Sequence, residues 1–160
     1  MTRLNLPLIA SALCLMVLAS CQSPKTLRPF TTDGCSMFPD RSPDGKYDWK
    51  DCCLIHDVAY WQGGTRKQRE AADQALHDDV LAATGDAALA ATMFRGVRLG
   101  GSPYFPTGYR WGYGWSYRRG YKPLNLWEKA QVKARLHDYL EDRPDKRKVL
   151  EPANPQLFAE

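Results

Sequence analysis

Two predicted helices joined by a short break constrain the fold more than any other part of the sequence. The first is predicted over residues 49–62 and ends at the helix-breaking pair Gly63 and Gly64. A capping-box pattern that begins at Thr65 predicts a second helix over residues 66–83. Because only a few residues separate the two helices, we expect them to pack side by side as an antiparallel pair.

The first predicted helix places a histidine beside a carboxylate. Residues 52–60 read Cys-Cys-Leu-Ile-His-Asp-Val-Ala-Tyr. At about 3.6 residues per turn, Tyr60 lies one turn after His56 on the same face, and Asp57 lies next to the histidine. Antiparallel packing brings Asp73 of the second helix opposite His56. A histidine held on a rigid helix near carboxylates predicts a site that combines a general base with a metal ligand.

Residues 1–20 have the pattern of a segment removed during export. Arg3 precedes an apolar run over residues 6–18, which is shorter than the about 20 residues of a membrane-spanning helix. The small residues before Cys21 resemble the lipobox of bacterial lipoproteins, which would make Cys21 the lipidated first residue of the mature chain. An ordinary cleaved signal is the alternative. Gln22 after the cysteine, by the same resemblance, favours the periplasmic side of the outer membrane.

Length and charge limit the organisation and the partners. Removing the signal leaves 160 − 20 = 140 residues, a normal size for one domain. We expect residues 21–32 to form a polar tether, residues 33–142 the domain, and residues 143–160 a solvated polar tail. The formal net charge of +4 does not argue for nucleic acid and is compatible with a phospholipid membrane surface. We expect the protein to be a monomer.

The remaining segments predict an all-α fold with one long loop. Gly85 and Asp86 open a third helix that runs to about Leu99, a fourth is predicted over residues 126–140, and no segment alternates as a strand does. Residues 100–122 contain aromatic and arginine side chains set among glycines. Such side chains suit the headgroup region of a membrane, which is one interpretation of the loop. In the other, the rings fold back and complete a small core.

Three cysteines remain after export if Cys21 carries lipid: Cys35, Cys52 and Cys53. The exported compartment is oxidising, so we expect one disulfide and one free thiol. Adjacent cysteines on a helix point about 100° apart, so only one of the pair should face Cys35. As a rival hypothesis, Cys35 and Cys53 with His56 could hold Zn²⁺, although oxidation argues against it.

The pattern Cys-Cys-x-x-His-Asp-x-x-Tyr resembles the catalytic helix of the secreted, calcium-dependent phospholipase A2 superfamily. A loop reading Asp-Gly-Cys-Ser at residues 33–36 stands upstream, and a helix that carries Asp73 stands downstream. The resemblance covers residues 33–80. The short gap between His56 and Asp73 and the small number of cysteines are similar to the compact bacterial and fungal branch.

The resemblance implies a role for each of these residues. His56 would act as the general base and take a proton from a water that attacks the sn-2 ester carbonyl of a phospholipid. Asp73 would accept the other ring N–H, and Tyr60 would hydrogen-bond Asp73. Asp57 would bind Ca²⁺, a cation that prefers oxygen ligands. The other calcium ligands would be backbone carbonyls of the upstream loop, those of Gly34, Ser36 and Phe38.

The upstream loop departs from the family pattern. The resemblance implies a disulfide between Cys35 and Cys53 that ties this loop to the catalytic helix. Met37, Phe38 and Pro39, however, stand where the family usually has glycines. A non-catalytic lipoprotein that keeps the fold in order to bind lipid, or to serve envelope architecture, is therefore the alternative to a hydrolase.

A second calcium-binding pattern overlaps the start of the first helix. Oxygen-bearing residues and a glycine occupy positions 1, 3, 5, 6, 9 and 12 of an EF-hand-like loop: Asp40, Ser42, Asp44, Gly45, Asp48 and Asp51. Pro43 and the final aspartate fit this pattern poorly. The alternative is a solvated turn in which Asp48 caps the first helix.

Overall fold

The structure, a computed structural model, describes residues 26–159. Within that range the chain is mostly helical and has no strand, in agreement with the predicted all-α class. Its α-helices are α1 (Lys50–Gln62), α2 (Arg66–Thr84), α3 (Ala87–Gly100), α4 (Leu126–Asp142), α5 (Arg147–Ala153) and α6 (Pro155–Phe158), with a 3₁₀ turn at Pro144–Lys146. The predicted signal segment and the lipidation site at Cys21 lie outside the described residues.

None of these helices combines the length and the apolar character needed to cross a membrane.

Local capping signals set the ends of α2. The Thr65 side chain accepts the backbone N–H of Gln68, and the Gln68 side chain accepts the backbone N–H of Thr65. This is the capping box that the sequence predicts, and it satisfies two N–H groups that a helix start leaves without partners. At the other end Gly85 adopts a left-handed conformation with φ of 70°, which ends the helix.

The first helix begins one residue later than predicted. Trp49 occupies the capping position, and its side chain makes no cap bond because an indole has no acceptor for a backbone N–H; its Nε1–H donates to the Pro39 carbonyl instead. The Asp48 carboxylate instead accepts the backbone N–H of Lys50 at 2.9 Å. Asp48 therefore still satisfies one exposed N–H group of α1, although it is not the cap residue itself.

Helices α1 and α2 pack as an antiparallel pair. His56 of α1 contacts Asp73 of α2, and Tyr60, one turn later, contacts Arg69, one turn earlier. Toward the turn that connects the helices, the contacting residue number rises on α1 and falls on α2, as it does in an antiparallel pair. Helix α3 packs on α2, and together with α1 they enclose one core cluster: Trp49, Cys53, Leu76, Val80, Ala90 and Met93.

The larger core cluster takes residues from both ends of the described chain. Leu27 and Phe30 precede α1, and Leu150 lies in α5; all three are buried in this cluster. Residues 26–32 of the predicted tether are thus packed through Leu27 and Phe30, and residues 144–158 of the predicted tail form short helices that Leu150 anchors, although most of their side chains are exposed. Burial of one such side chain contributes roughly 1.5–3 kcal/mol, which helps to fix an otherwise polar segment.

Replacing Leu150 by alanine should lower the free energy of unfolding by roughly 2–5 kcal/mol, because the side chain is fully buried and leaves a cavity. Denaturant unfolding of the full chain measures this change. Leu126→Ala is the matched control, since Leu126 is 84% exposed and should change stability by no more than about 0.5 kcal/mol. Equal unfolding midpoints for the two variants would contradict the placement of α5 in the core.

The loop over residues 100–122 covers the C-terminal end of α1. A helix leaves its last carbonyl oxygens without intrahelical partners. Here the loop supplies the missing donors. The Tyr60 carbonyl accepts the N–H of Gly112 (2.6 Å), and the Trp61 carbonyl accepts the N–H of Gly114 (3.1 Å). The Gln62 carbonyl accepts the indole N–H of Trp115 (2.7 Å). Trp111 and Trp115 are buried, whereas four further rings remain exposed: Tyr104, Phe105, Tyr109 and Tyr117. Part of the loop thus completes the core, and part of it faces solvent.

Candidate active site

A cavity of about 230 Å³ lies between α1, α3 and the loop that precedes α1. His56, Asp57 and Tyr60 of α1 line it together with the loop residues 34–38. The wall on the side of α3 contains apolar and small residues: Thr92, Met93, Gly96, Val97 and Gly100. The residues that the sequence nominates from α1 and from the upstream loop therefore share one concave space.

The predicted partner of the histidine lies in hydrogen-bond contact with it. His56 Nε2 is 3.0 Å from Asp73 Oδ1, and both side chains are buried, with 8% and 0% of their area exposed. A carboxylate accepts hydrogen bonds, so this contact assigns the ring hydrogen to Nε2. Among residues 26–159 no other group hydrogen-bonds Nδ1. The neutral ring therefore has an unprotonated nitrogen available as a base.

Three hydrogen-bond donors hold Asp73 as an anion. Oδ1 also accepts the hydroxyl of Tyr60 at 2.7 Å, and Oδ2 accepts an N–H of Arg98 Nη1 at 2.6 Å. Burial alone would raise the pKa of Asp73, but the hydrogen bonds from His56, Arg98 and Tyr60 outweigh it and hold the pKa below its ordinary value. The buried carboxylate can therefore stabilise an imidazolium when His56 takes up a proton.

The sequence did not indicate the two arginines around Asp73. Arg69 is buried and donates to the Tyr60 hydroxyl at 3.0 Å. Its other donors bind Tyr121 and the carbonyls of Val97 and Arg98. Contacts between side chains on three different helices leave no local pattern in the sequence, so they become evident only in the folded structure.

Asp57 is a partly buried carboxylate without a cationic partner among the described residues. The Thr32 hydroxyl donates to its Oδ2 at 2.6 Å. Burial raises the pKa of Asp57 to about 7; the Thr32 hydrogen bond opposes this, and the nearby carboxylates of Asp33 and Asp40 add to it. A cation bound at this carboxylate would relieve both the desolvation and the repulsion.

A disulfide fixes the upstream loop to α1. It joins Cys35 to Cys53, and Cys52 is the one free thiol among the described residues. Gly34 has a φ of 80°, and a Cβ at this position would overlap the Asp40 carboxylate. That carboxylate accepts the backbone N–H of Cys35 at 2.9 Å. The loop therefore has a defined shape beside Asp57.

The oxygen groups of this region are of the chemical type that calcium sites use. Gly34, Ser36 and Phe38 line the same cavity as Asp57, and within residues 26–159 no donor hydrogen-bonds their backbone carbonyls. Carbonyl oxygens and a carboxylate are the ligands that Ca²⁺ prefers. The assignment of these three carbonyls as ligands stays a prediction.

The two other metal sites considered from the sequence do not form. Both sulfurs of the zinc hypothesis are joined in the disulfide, so they are not available as thiolate ligands. The carboxylates of the EF-hand-like pattern bind separate partners: Asp40 binds Cys35 N–H and Lys50, Asp44 binds Ser42, Asp48 binds Arg41, and Asp51 binds Lys146. Another cluster among the described residues, His137, Asp138 and Glu141, is exposed on α4 and far in sequence from the cavity residues.

Comparison of the chain with protein-family models, curated proteins and solved structures gave no match. Function is therefore inferred from the geometry and chemistry of the site.

Proposed function

We propose that the protein is a calcium-dependent hydrolase of the sn-2 ester bond of phospholipids, anchored through Cys21 in the bacterial cell envelope. The observation that carries this proposal is the buried pair of His56 Nε2 and Asp73 Oδ1, 3.0 Å apart. Both His56 and the adjacent Asp57 line one cavity. A base with an orienting acid and a nearby metal-binding carboxylate is a constellation suited to hydrolysis by an activated water.

In the proposed reaction His56 moves one proton. Its Nδ1 accepts a proton from the water as the water oxygen bonds to the acyl carbon. Asp73 stabilises the imidazolium, and Tyr60 holds the carboxylate in place. The imidazolium then gives the proton to the departing glycerol oxygen, which yields a fatty acid and a lysophospholipid. When bound at Asp57, calcium would polarise the ester carbonyl and stabilise the negative charge that forms on its oxygen.

The shape of the cavity supports a lipid substrate. Met37 and Tyr109 line it and are also 87% and 42% exposed, so they stand at its mouth. Leu76, Met93 and Val97 line it further in and offer apolar contacts to an acyl chain. The Tyr109 ring at the mouth suits the membrane interface, where a phospholipid would be taken up.

The position of the cleaved bond tests the proposal. The purified full-length chain is incubated in calcium with phosphatidylcholine vesicles labelled either in the sn-1 or in the sn-2 acyl chain. We expect free labelled fatty acid from the sn-2-labelled vesicles alone. Release from both positions, or from the sn-1 position alone, would contradict the proposed bond.

The second candidate is a non-catalytic lipoprotein that binds lipid or serves envelope architecture. The replacement of the usual loop glycines by Met37, Phe38 and Pro39 favours it. This candidate predicts that the chain sediments with the vesicles, through the cavity mouth and the exposed rings, and releases fatty acid from neither position. The two candidates therefore differ in the same assay.

A further inference from the structure

Asp73 divides its two carboxylate oxygens between different tasks. Oδ1 accepts His56 Nε2 and the Tyr60 hydroxyl, both from α1. Oδ2 accepts an N–H of Arg98 Nη1, from the last turn of α3, at 2.6 Å. The orientation of the carboxylate, and with it the direction in which Oδ1 points, is therefore held through its other oxygen by a helix other than that of the histidine.

The two arginines beside Asp73 are not equivalent. Arg69 Nε lies 3.7 Å from Oδ2, and its guanidinium is committed to Tyr60, Tyr121 and the carbonyls at the end of α3. Arg98 makes the short bond to Oδ2, and its side chain is 29% exposed. Its second carboxylate neighbour, Glu70, is exposed and more distant at 3.8 Å. Arg69 is thus part of the helix packing, whereas Arg98 acts mainly on Asp73.

We propose that Arg98 is a positioning residue, which holds Asp73 so that Oδ1 keeps His56 in the Nε2–H tautomer with Nδ1 free to accept a proton. This inference rests on the proposed function, because it assigns a role to Arg98 in the same site. Arg98 touches neither the substrate nor the reacting atoms; it acts through Asp73.

Removal of Arg98 should change the direction of the carboxylate. With Arg98 absent, Arg69 is the remaining cation near Oδ2, and Asp73 gains a bond only by turning toward it. Such a turn withdraws Oδ1 from His56, and an imidazole without a fixed partner populates both neutral tautomers. A ring with its proton on Nδ1 cannot accept a proton from water at that nitrogen.

Nitrogen-15 NMR of the histidine rings tests this directly in the full-length chain. The spectra are recorded at a single pH of about 8, where an ordinary imidazole is neutral, for the wild type and Arg98→Met. The chain has three histidines, and the more exposed His77 and His137 serve as references in the same spectrum. Arg95→Met is the matched control, since Arg95 is an exposed arginine on the same helix.

We expect the His56 ring of the wild type and of Arg95→Met to show one tautomer with hydrogen on Nε2. Arg98→Met should show a mixture. In the vesicle assay Arg98→Met should lower kcat roughly 10- to 100-fold with little change in KM, because the base is misplaced while substrate contacts are kept. Arg98→Lys, which restores a cation, should recover part of kcat.

An unchanged His56 tautomer in Arg98→Met would overturn the proposal, even if hydrolysis were lost. If circular dichroism shows that Arg98→Met does not fold, Arg98→Gln carries the same comparison with a smaller change. If the wild type itself releases no fatty acid, the proposed function fails, whereas the tautomer comparison still decides the role of Arg98.

Discussion

Replacing His56 by glutamine should lower phospholipid hydrolysis by roughly 10²- to 10⁴-fold, the usual contribution of a general base. A glutamine side chain cannot accept and return the proton of the attacking water. Its amide can still donate to Asp73, so the buried carboxylate, which has 0% of its area exposed, keeps a partner. The unfolding midpoint should therefore stay close to that of the wild type. Initial rates of fatty-acid release and denaturant unfolding measure the two effects.

The matched control for this variant is His137→Gln. His137 is exposed on α4, with Glu141 as its nearest acid at 3.6 Å, so its replacement should change neither rate nor stability. Turnover by His56→Gln at the wild-type rate would remove the base from the mechanism. A rate lost together with the folded state would point to a structural histidine instead.

Replacing Asp57 by asparagine should abolish calcium dependence and hydrolysis together. The substitution keeps the shape of the side chain and an oxygen for the Thr32 hydroxyl, but it removes the charge that attracts the cation. Calcium affinity, measured by isothermal titration, should fall by roughly 10-fold or more, as is common when a metal site loses a supporting group. An unchanged calcium affinity would show that the cation binds elsewhere.

In the presence of a chelator, Asp57→Asn should also change the free energy of unfolding, and the pKa of Asp57 determines whether that free energy rises or falls. Burial raises the pKa of Asp57 from 3.8 to about 7, so between these values the folded state holds a proton that the unfolded state has released. The wild type therefore loses stability as pH rises through this window, and the full cost is present above about pH 7. Asp57→Asn should be more stable than the wild type there and equally stable below pH 3.8.

The control for stability is Asp138→Asn, because Asp138 is exposed on α4 and its one ion-pair partner within residues 26–159 is Arg135 on the same helix. Its unfolding midpoint in chelator should follow that of the wild type at every pH. If Asp57→Asn behaved in the same way, Asp57 would not be the strained carboxylate of the metal-free protein.

Local signals in the sequence were enough to predict the helix pair and the histidine with its acid. Gly63 ends α1, and the side chains of Thr65 and Gln68 start α2. Residues within the break itself therefore determine how short it is. Once the break is short, antiparallel packing determines that Asp73 meets His56.

What the sequence left unpredicted depends on contacts between distant segments. In the sequence, Leu27 and Leu150 have mostly polar neighbours, and nothing in those neighbours indicates that both side chains enter one core cluster. Arg98 and Asp73 are 25 residues apart on different helices, and no spacing rule connects them. The loop aromatics could not be sorted from the sequence for the same reason: Trp111 is buried and donates to the Gly64 carbonyl just after α1, whereas Tyr104 is exposed.

The most direct measurement of the central claim is fatty-acid release from sn-2-labelled phosphatidylcholine, compared in calcium and in chelator for the full-length wild type and for His56→Gln. We predict release by the wild type in calcium and none above background in chelator or with the variant. Equal release with and without calcium, or by both proteins, would contradict the proposal that His56 and a cation at Asp57 act together in one site.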